Sequence, residues 1–322
     1  METAVTKRSF PQRAKKLALN LFPYLALIIV FVFFAIASGG RLFTPFNLKS
    51  IFNQTVILLI GSLGMIFLFA QGAFDISFGS NICFSSLLSA VLAESLNAPI
   101  IYIIGPLVFC TLIGLLNGVL YAYSGIMVFI QTMAVSFVLK GTYTTLLGGR
   151  AVISVPPFMM DMDGLPFYLI VLAAMSAVII YLFNFTTVGK HSKMYGAGQI
   201  ATVQSGVSVP RIKILSFLIA GITAGIVAVL LMIRGGNVSN SNGSNFEFNV
   251  MIALTLGGMP AEGGTAAKIR SAFIGCILTA ILANGMVLLQ VSARLQEVIK
   301  GVLFILVLIL TIKAREKATG QS

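Results

Sequence analysis

The sequence predicts an all-α polytopic membrane protein with about ten transmembrane helices and both termini in the cytoplasm. Three observations carry this. Apolar residues fill 58% of 322 positions and charged residues only 9%, against roughly 25% charged in a soluble domain. Mean hydropathy is +1.01. The apolar residues also fall into runs near the roughly 20 residues a helix needs to cross a hydrocarbon core about 30 Å thick.

In chain order, residues 1–16 form a basic cytoplasmic tail, and the apolar run behind them lacks a small-residue cleavage site, so it reads as a retained first span, Leu17–Ser38. Gly39-Gly40-Arg41 ends it. The second span, Ile51–Ala70, leads into QGAFDISFGS, and the third follows at Asn81–Ser95. Pro99 marks a turn before the fourth, Ile100–Tyr123, and Ser124-Gly125 separates that from the fifth, Ile126–Leu147. A loop with Pro156, Pro157, Asp161 and Asp163 precedes the sixth, Phe167–Phe185; the seventh is Ile214–Ile233. The eighth, Val250–Leu256, is too short to cross alone and reads as broken or re-entrant. The ninth and tenth are Ala272–Gln290 and Val298–Ile312, before the tail 313–322. No composition shift divides residues 17–312, which read as one membrane domain.

Charge sets the orientation. With the N-terminus inside, fourteen of the 21 Lys and Arg residues fall on cytoplasmic segments, as cytoplasmic enrichment of basic residues requires, while Asp161, Asp163 and Glu247 fall outside. The net charge of +12 is dispersed between apolar runs without a basic patch interleaved with aromatics, so the lipid bilayer, not nucleic acid, is the expected partner. Cys83, Cys110 and Cys276 sit in apolar runs and read as packing residues.

The chain lacks a GxxxxGK[ST] phosphate loop, and its single histidine, His191, supports neither a metal cluster nor a catalytic base. No catalytic residue, metal or cofactor is therefore expected in it. Ionisable residues near the membrane are the remaining candidates, because charge there is expensive. Asp75 stands out, with Gly72, Ser77, Gly79 and Ser80 around it in a stretch suited to a broken helix; its simpler reading is a cap for the third span. Lys140 and Lys300 suit snorkelling to an interface, and Glu262 suits a helix cap or a basic partner.

The longest polar interruption, Gly189–Lys213, carries Lys190, Lys193, Arg211 and Lys213 with no acid. Gln199–Gln204 forms a short helix closed by Gly206, with Gly196, Gly198 and Pro210 as breakers. It reads as a docking knob on the cytoplasmic surface or as an ordinary solvated loop. A faint internal echo links CTLIGLLNG, with Asn117, to CILTAILANG, with Asn284, and Lys140-Gly141 to Lys300-Gly301. Five spans separate the copies, which would make them an inverted repeat with a substrate path between the halves. Close packing of small residues is the competing reason.

Several stretches together resemble the permease subunits of bacterial ABC importers of the ribose, xylose and autoinducer-2 class. QGAFDISFGS is similar to that family's GGIDLSVGS motif, with Asp75, Ser77 and Gly79 matching and Ala73 in place of glycine. GLLNGVLYAYSGIMVFIQTMAVSFVLKGTYTTLLGGR, LGGMPAEGG and ILANGMVLLQVSARLQEVIKGVLFILVLIL resemble its G-x-x-N-G, LGG-x(4)-GG and C-terminal segments, and the likeness covers Phe43–Leu310.

The resemblance implies that residues 189–213 form the loop that docks on the ATPase, through Gly196, Gly198, Gln199, Ala201, Ser205 and Gly206. Here Gln199-Ile200 replaces the family's acidic pair and Val203 its arginine, so the docking helix has no charge; TAAKIRSA likewise replaces a Gly-rich run. Asp75, Ser77, Gly79, Asn117 and Asn284 are the path candidates.

The implied protein is a multi-pass permease of the bacterial plasma membrane that passes a small polar solute, a monosaccharide such as ribose. Its implied partners are ATPase subunits, which bind the ATP, a second permease copy or paralogue, and an extracytoplasmic binding protein. A nucleoside or branched-chain amino acid permease, and an ion-coupled secondary transporter using Asp75, are the alternatives.

Overall fold

The computed structural model describes residues 10–146, 151–239, 241–260 and 262–319, with side chains described from 21 to 309 apart from position 22. The expected fifth-span end at Leu147, Arg150, most of the N-terminal tail and the last three residues lie outside the described residues.

Regular secondary structure among the described residues is helical except for one two-residue strand pair. Its long helices are α1 (Phe10–Ala37), α2 (Pro45–Ala70), α3 (Phe78–Ser95), α4 (Ile101–Tyr123) and α5 (Val128–Leu146), then α7 (Leu165–Phe185), α10 (Val209–Gly235), α12 (Arg270–Leu288) and α13 (Ala293–Thr319). Between them lie α6 (Pro157–Met160), α8 (Thr187–Ala197), α9 (Gln199–Gln204) and α11 (Phe246–Leu256). Among the described residues five helices, α2, α4, α7, α10 and α12, are long and apolar enough to cross a membrane by length and composition.

Helix α2 is the axis of the bundle. Its most apolar window is 78% buried, whereas that of α7 is 11% buried. Ile60, Leu63, Met65, Ile66, Phe67 and Leu68 on α2 are all enclosed, which gives the core its centre. With so apolar a composition on every face, burial of α2 follows from its neighbours, α7, α10, α11 and α12, and not from an amphipathic stripe.

Small residues set the helix spacing. A side chain at Gly114 on α4 would stand 2.8 Å from Gly221 Cα on α10, and one at Gly225 would stand 2.7 Å from Leu107 Cα, so these two helices touch backbone to backbone. Helices that cannot draw on the hydrophobic effect within lipid associate through such close contact. Asn81 on α3 donates to the Cys110 carbonyl of α4 at 3.1 Å, adding a polar tie to the same region.

On the opposite side from α8 and α9, β1 (Ile153–Ser154) and β2 (Asn237–Val238) pair antiparallel, Ile153 opposite Val238, joining the segments that follow α5 and α10. Lys49 meets Asp163 at 3.4 Å there.

Several sequence expectations change: α2 begins at Pro45, six residues before the expected Ile51, α10 at Val209, five before Ile214, and α13 at Ala293, five before Val298. Helix α3 begins at Phe78, three residues before the expected Asn81. Helix α11 begins at Phe246, four residues before Val250, so Glu247 lies in its first turn and is 2% exposed instead of standing on the outer face. At 11 residues α11 is about 16 Å long, roughly half the apolar thickness. The segment before Gly196, read as loop, is the helix α8. Gly189 and Gly196 do not break it, because each missing side chain lets α8 seat against backbone: Gly189 against Phe183, Gly196 against Ala70.

Candidate functional site

The polar loop Gly189–Lys213 divides into a seated helix and a free one. In α8, Ser192 and Tyr195 are buried. Ser192 belongs to a polar knot with Gln71, the first residue after α2, and Ser216 on α10. The Gln71 amide donates to the Ser216 hydroxyl, to Ser192 Oγ at 3.4 Å and to the Phe67 carbonyl at 3.3 Å. Ser192 and Ser216 stand 3.4 Å apart. The knot thus ties the loop to two core helices.

Beside it, the Ala70 carbonyl that ends α2 accepts a 2.8 Å hydrogen bond from the Gly264 amide. Room for this meeting exists only because the neighbours are glycines. A side chain at Gly196 would strike the Ala70 carbonyl and stand 2.6 Å from Gly264 N. One at Gly263, where φ is +75°, would stand 2.5 Å from Gly72 N and 2.6 Å from Ala70 O. The paired glycines of LGGMPAEGG therefore close over the end of α2.

Helix α9 covers Gln199–Gln204, the residues expected, and ends in Gly206 at φ +74°, a left-handed turn that glycine adopts without steric cost. Thr202 is buried, whereas Ile200 is 76% and Val203 60% exposed. Gln199, Ala201, Ser205 and Gly206 are exposed as well. Gly198 is extended at φ 178° and needs no glycine on steric grounds. The basic residues split: Lys190 and Arg211 are exposed, whereas Lys193 and Lys213 each lie 4.0 Å from an aromatic ring centre, Phe183 and Tyr121. Partial burial holds the Lys193 ammonium below its usual range.

The break between α2 and α3 holds a second polar cluster. Asp75 Oδ1 accepts from the Ser77 amide at 2.8 Å and from the Ser77 hydroxyl at 2.6 Å. Asn117 donates to Ser77 Oγ at 2.7 Å, and Gln131 donates to the Asn117 carbonyl at 2.8 Å. The Ile76 amide reaches Thr132 Oγ1 at 3.2 Å. Asp75 thereby occupies the head of α3 and links it to α4 and α5. Gly79 is where the loop before α11 comes closest: a side chain there would strike the Glu247 carboxylate and the Gly243 carbonyl. The rings of Phe78 and Phe246, each opening its helix, stack at 6.0 Å.

Of the five path candidates, the fold brings Asp75, Ser77 and Asn117 into one hydrogen-bonded set and places Gly79 two residues along. Asn284 lies on α12, outside that set, with its Oδ1 buried and accepting no hydrogen bond. Asp75, Ser77, Asn117 and Asn284 are 5% exposed or less, so they line the interior of the chain and not an open channel in this conformation. Asn117 Oδ1, Gln131 Oε1 and Glu247 Oε2 are likewise buried without a donor. An apolar cavity of about 300 Å³ between α4, α7 and α10, lined by Ile103, Leu107, Phe167, Met175 and Ile226 among others, offers no polar group to a hydroxylated solute.

Sequence reasoning missed Gln71, Ser192 and Ser216, which lie up to 145 positions apart. Their only signal was polarity at the edges of apolar runs. Glu247 was read as an outer-face charge; a carboxylate flanked by Phe246 and Phe248 was the hint of burial.

The profile of the family described as "Branched-chain amino acid transport system / permease component" matches residues 47–308. Among curated relatives, the ribose import permease protein RbsC of Bacillus subtilis (strain 168) is 27% identical, covering 90% of this chain and 92% of that protein. The L-arabinose ABC transporter permease protein AraH of Azospirillum brasilense is 29% identical, covering 92% and 89%. The D-allose transport system permease protein AlsC of Escherichia coli (strain K12) is 24% identical, covering 88% of each. No solved structure matches the chain.

Proposed function

Because the chain belongs to the branched-chain amino acid transport system / permease component family, we propose that it is the membrane-spanning subunit of an ABC importer for a monosaccharide, seated in the bacterial inner membrane. Relatives named for ribose, L-arabinose and D-allose, matched over about nine-tenths of their lengths, support a pentose or hexose over a nucleoside or branched-chain amino acid. The chain crosses the membrane ten times with both termini inside, α11 being the helical part of a broken eighth span, and works beside a second permease. ATP is bound and hydrolysed by separate cytoplasmic subunits, and an extracytoplasmic protein delivers the sugar.

The observation that carries the mechanism is the joint at Ala70. Closure of the ATPases moves α9 and α8, and α8 is tied through Gly196, Ser192 and Gln71 to the end of the central helix. That end is followed at once by the Asp75 break. Displacement from below thus arrives at the one place where the core helix is already interrupted, and the two halves rock about it. Asp75 serves as the cap of α3 and not as a proton carrier.

The test is uptake of labelled ribose, arabinose and allose by cells with and without the gene. Uptake that disappears on ATP depletion but persists with a protonophore supports the importer. Uptake that follows the proton gradient and survives ATP depletion would sink it and favour an ion-coupled carrier.

A further inference from the structure

We propose that this permease holds its ATPase through an uncharged, apolar ridge on α9, built from Ile200 and Val203 with Met194 beside it, so that the ATPase presents an apolar groove in place of charges; the inference rests on the importer reading above. The sequence of α9, QIATVQ, carries no charge. Its exposed hydrophobic side chains are Ile200 at 76% and Val203 at 60%, with Met194 at 39% beside them, and the exposed glutamines at its two ends, Gln199 and Gln204, are uncharged. Its hydroxyls are turned onto its own backbone: Thr202 Oγ1 donates to the Gly198 carbonyl and Ser205 Oγ to the Ala201 carbonyl, both at 2.8 Å. What faces outward is therefore a pair of branched apolar side chains between two neutral amides, and clustered exposed apolar side chains mark contact surfaces.

The nearby charges do not compensate. Lys193 donates to the Phe183 carbonyl at 3.4 Å and Lys213 to the Tyr121 carbonyl at 3.2 Å. Both are thereby directed back toward the bundle. Lys190 and Arg211 are left as an exposed basic rim, which fits acidic groups at the edge of a partner's groove and not at its centre. The occupant is a protein and not lipid, because of where the ridge hangs. Helix α8 carries α9 inward from α7, the lipid-facing helix, to the end of α2, the most enclosed one. The ridge is therefore suspended beneath the core.

The experiment uses the full chain, tagged and purified in mild detergent from its native membranes, with the co-purifying Walker-motif ATPase identified by mass spectrometry. Retention is measured in low salt and at about 0.5 M NaCl, where exposed charges are screened beyond a few ångströms. We expect the ATPase to stay on the wild type in high salt. The pair Ile200→Ser/Val203→Ser should lower retention about tenfold or more, as removal of central apolar anchors does. Lys190→Ala/Arg211→Ala should change it by no more than about twofold, as rim charges do.

Loss of the ATPase in salt, or retention by the double serine variant, overturns the apolar ridge while leaving the importer intact. Absence of any ATPase from the wild type overturns the importer reading, and the ridge with it. A second variant separates lipid from protein as the occupant. The chain contains no tryptophan, so Ile200→Trp is a single reporter. In phosphatidylcholine vesicles its emission should be quenched by the added ATPase fraction and left unchanged by brominated acyl chains. Quenching by the brominated lipid would place α9 in the bilayer and overturn the proposal.

Discussion

Adding a single methyl group at each of three glycines in the loop Gly189–Lys213 gives three different outcomes. At Gly196 the new carbon collides with the Ala70 carbonyl and comes within 2.6 Å of Gly264 N. Both obstacles are backbone, so α8 has to withdraw from the end of α2. Overpacking of this kind costs about 1–3 kcal/mol, and loss of the 2.8 Å Gly264-to-Ala70 hydrogen bond adds about 1 kcal/mol. Together that is about 2–4 kcal/mol. At Gly206 nothing lies within 4 Å, but φ is +74°, so alanine costs only the left-handed backbone, about 1–2 kcal/mol. At Gly198 the methyl would touch only Ala201 Cβ at 3.8 Å with an extended backbone, and the cost is near zero.

The expected order of damage is therefore Gly196→Ala, then Gly206→Ala, then Gly198→Ala. It should appear in the thermal midpoint of the purified complex and in sugar uptake by cells. Gly196→Ala should in addition leave ATP hydrolysis running while uptake falls, because the ATPase would push on a helix no longer seated. If Gly198→Ala proves the most harmful, or if Gly196→Ala is silent, the close contact between α8 and α2 is not what the loop depends on.

Three further outcomes follow. Asp75→Asn keeps an acceptor for the Ser77 amide and should retain uptake within about twofold, whereas Asp75→Ala leaves that amide unpaired and should cost about 1 kcal/mol in a thermal melt; loss of uptake in the asparagine variant would indicate that the charge itself is used. Gln71→Leu removes the donor shared by Ser192 and Ser216 and should destabilise the complex by about 1–2 kcal/mol, read as a lower thermal midpoint, with an unchanged midpoint counting against the polar knot. Cys83, Cys110 and Cys276 are buried, so a membrane-permeant maleimide should label none of them until the protein is denatured, and rapid labelling of any one would contradict its position.

Much of this arrangement was legible from local signals. The bounds of α9 followed from Gly206 and Pro210, whose backbone preferences act within a few residues, and the weakness of the eighth span followed from its length alone. What escaped were features whose cause lies far away in the chain. KHSKMYG reads as solvated loop because it is polar, yet it folds as helix because Ser192 finds Gln71 and Gly196 finds the Ala70 carbonyl. Glu247 reads as an exterior charge until the approach of Gly79 makes its turn part of the core. Asn284 shares a motif with Asn117 but not a set of contacts, since similar local sequence packs against different neighbours.

The Ala70 carbonyl offers a way to count moving parts. Three stretches drawn from well-separated parts of the sequence converge on that one oxygen: the end of α2, the Gly263-Gly264 turn and the Gly196 end of α8. A machine with a joint shared by three members cannot drive one of them without the others. For the proposed importer the expected passage between inward and outward states is accordingly a single stroke, in which a partner gripping α9 alone has hold of both halves of the chain.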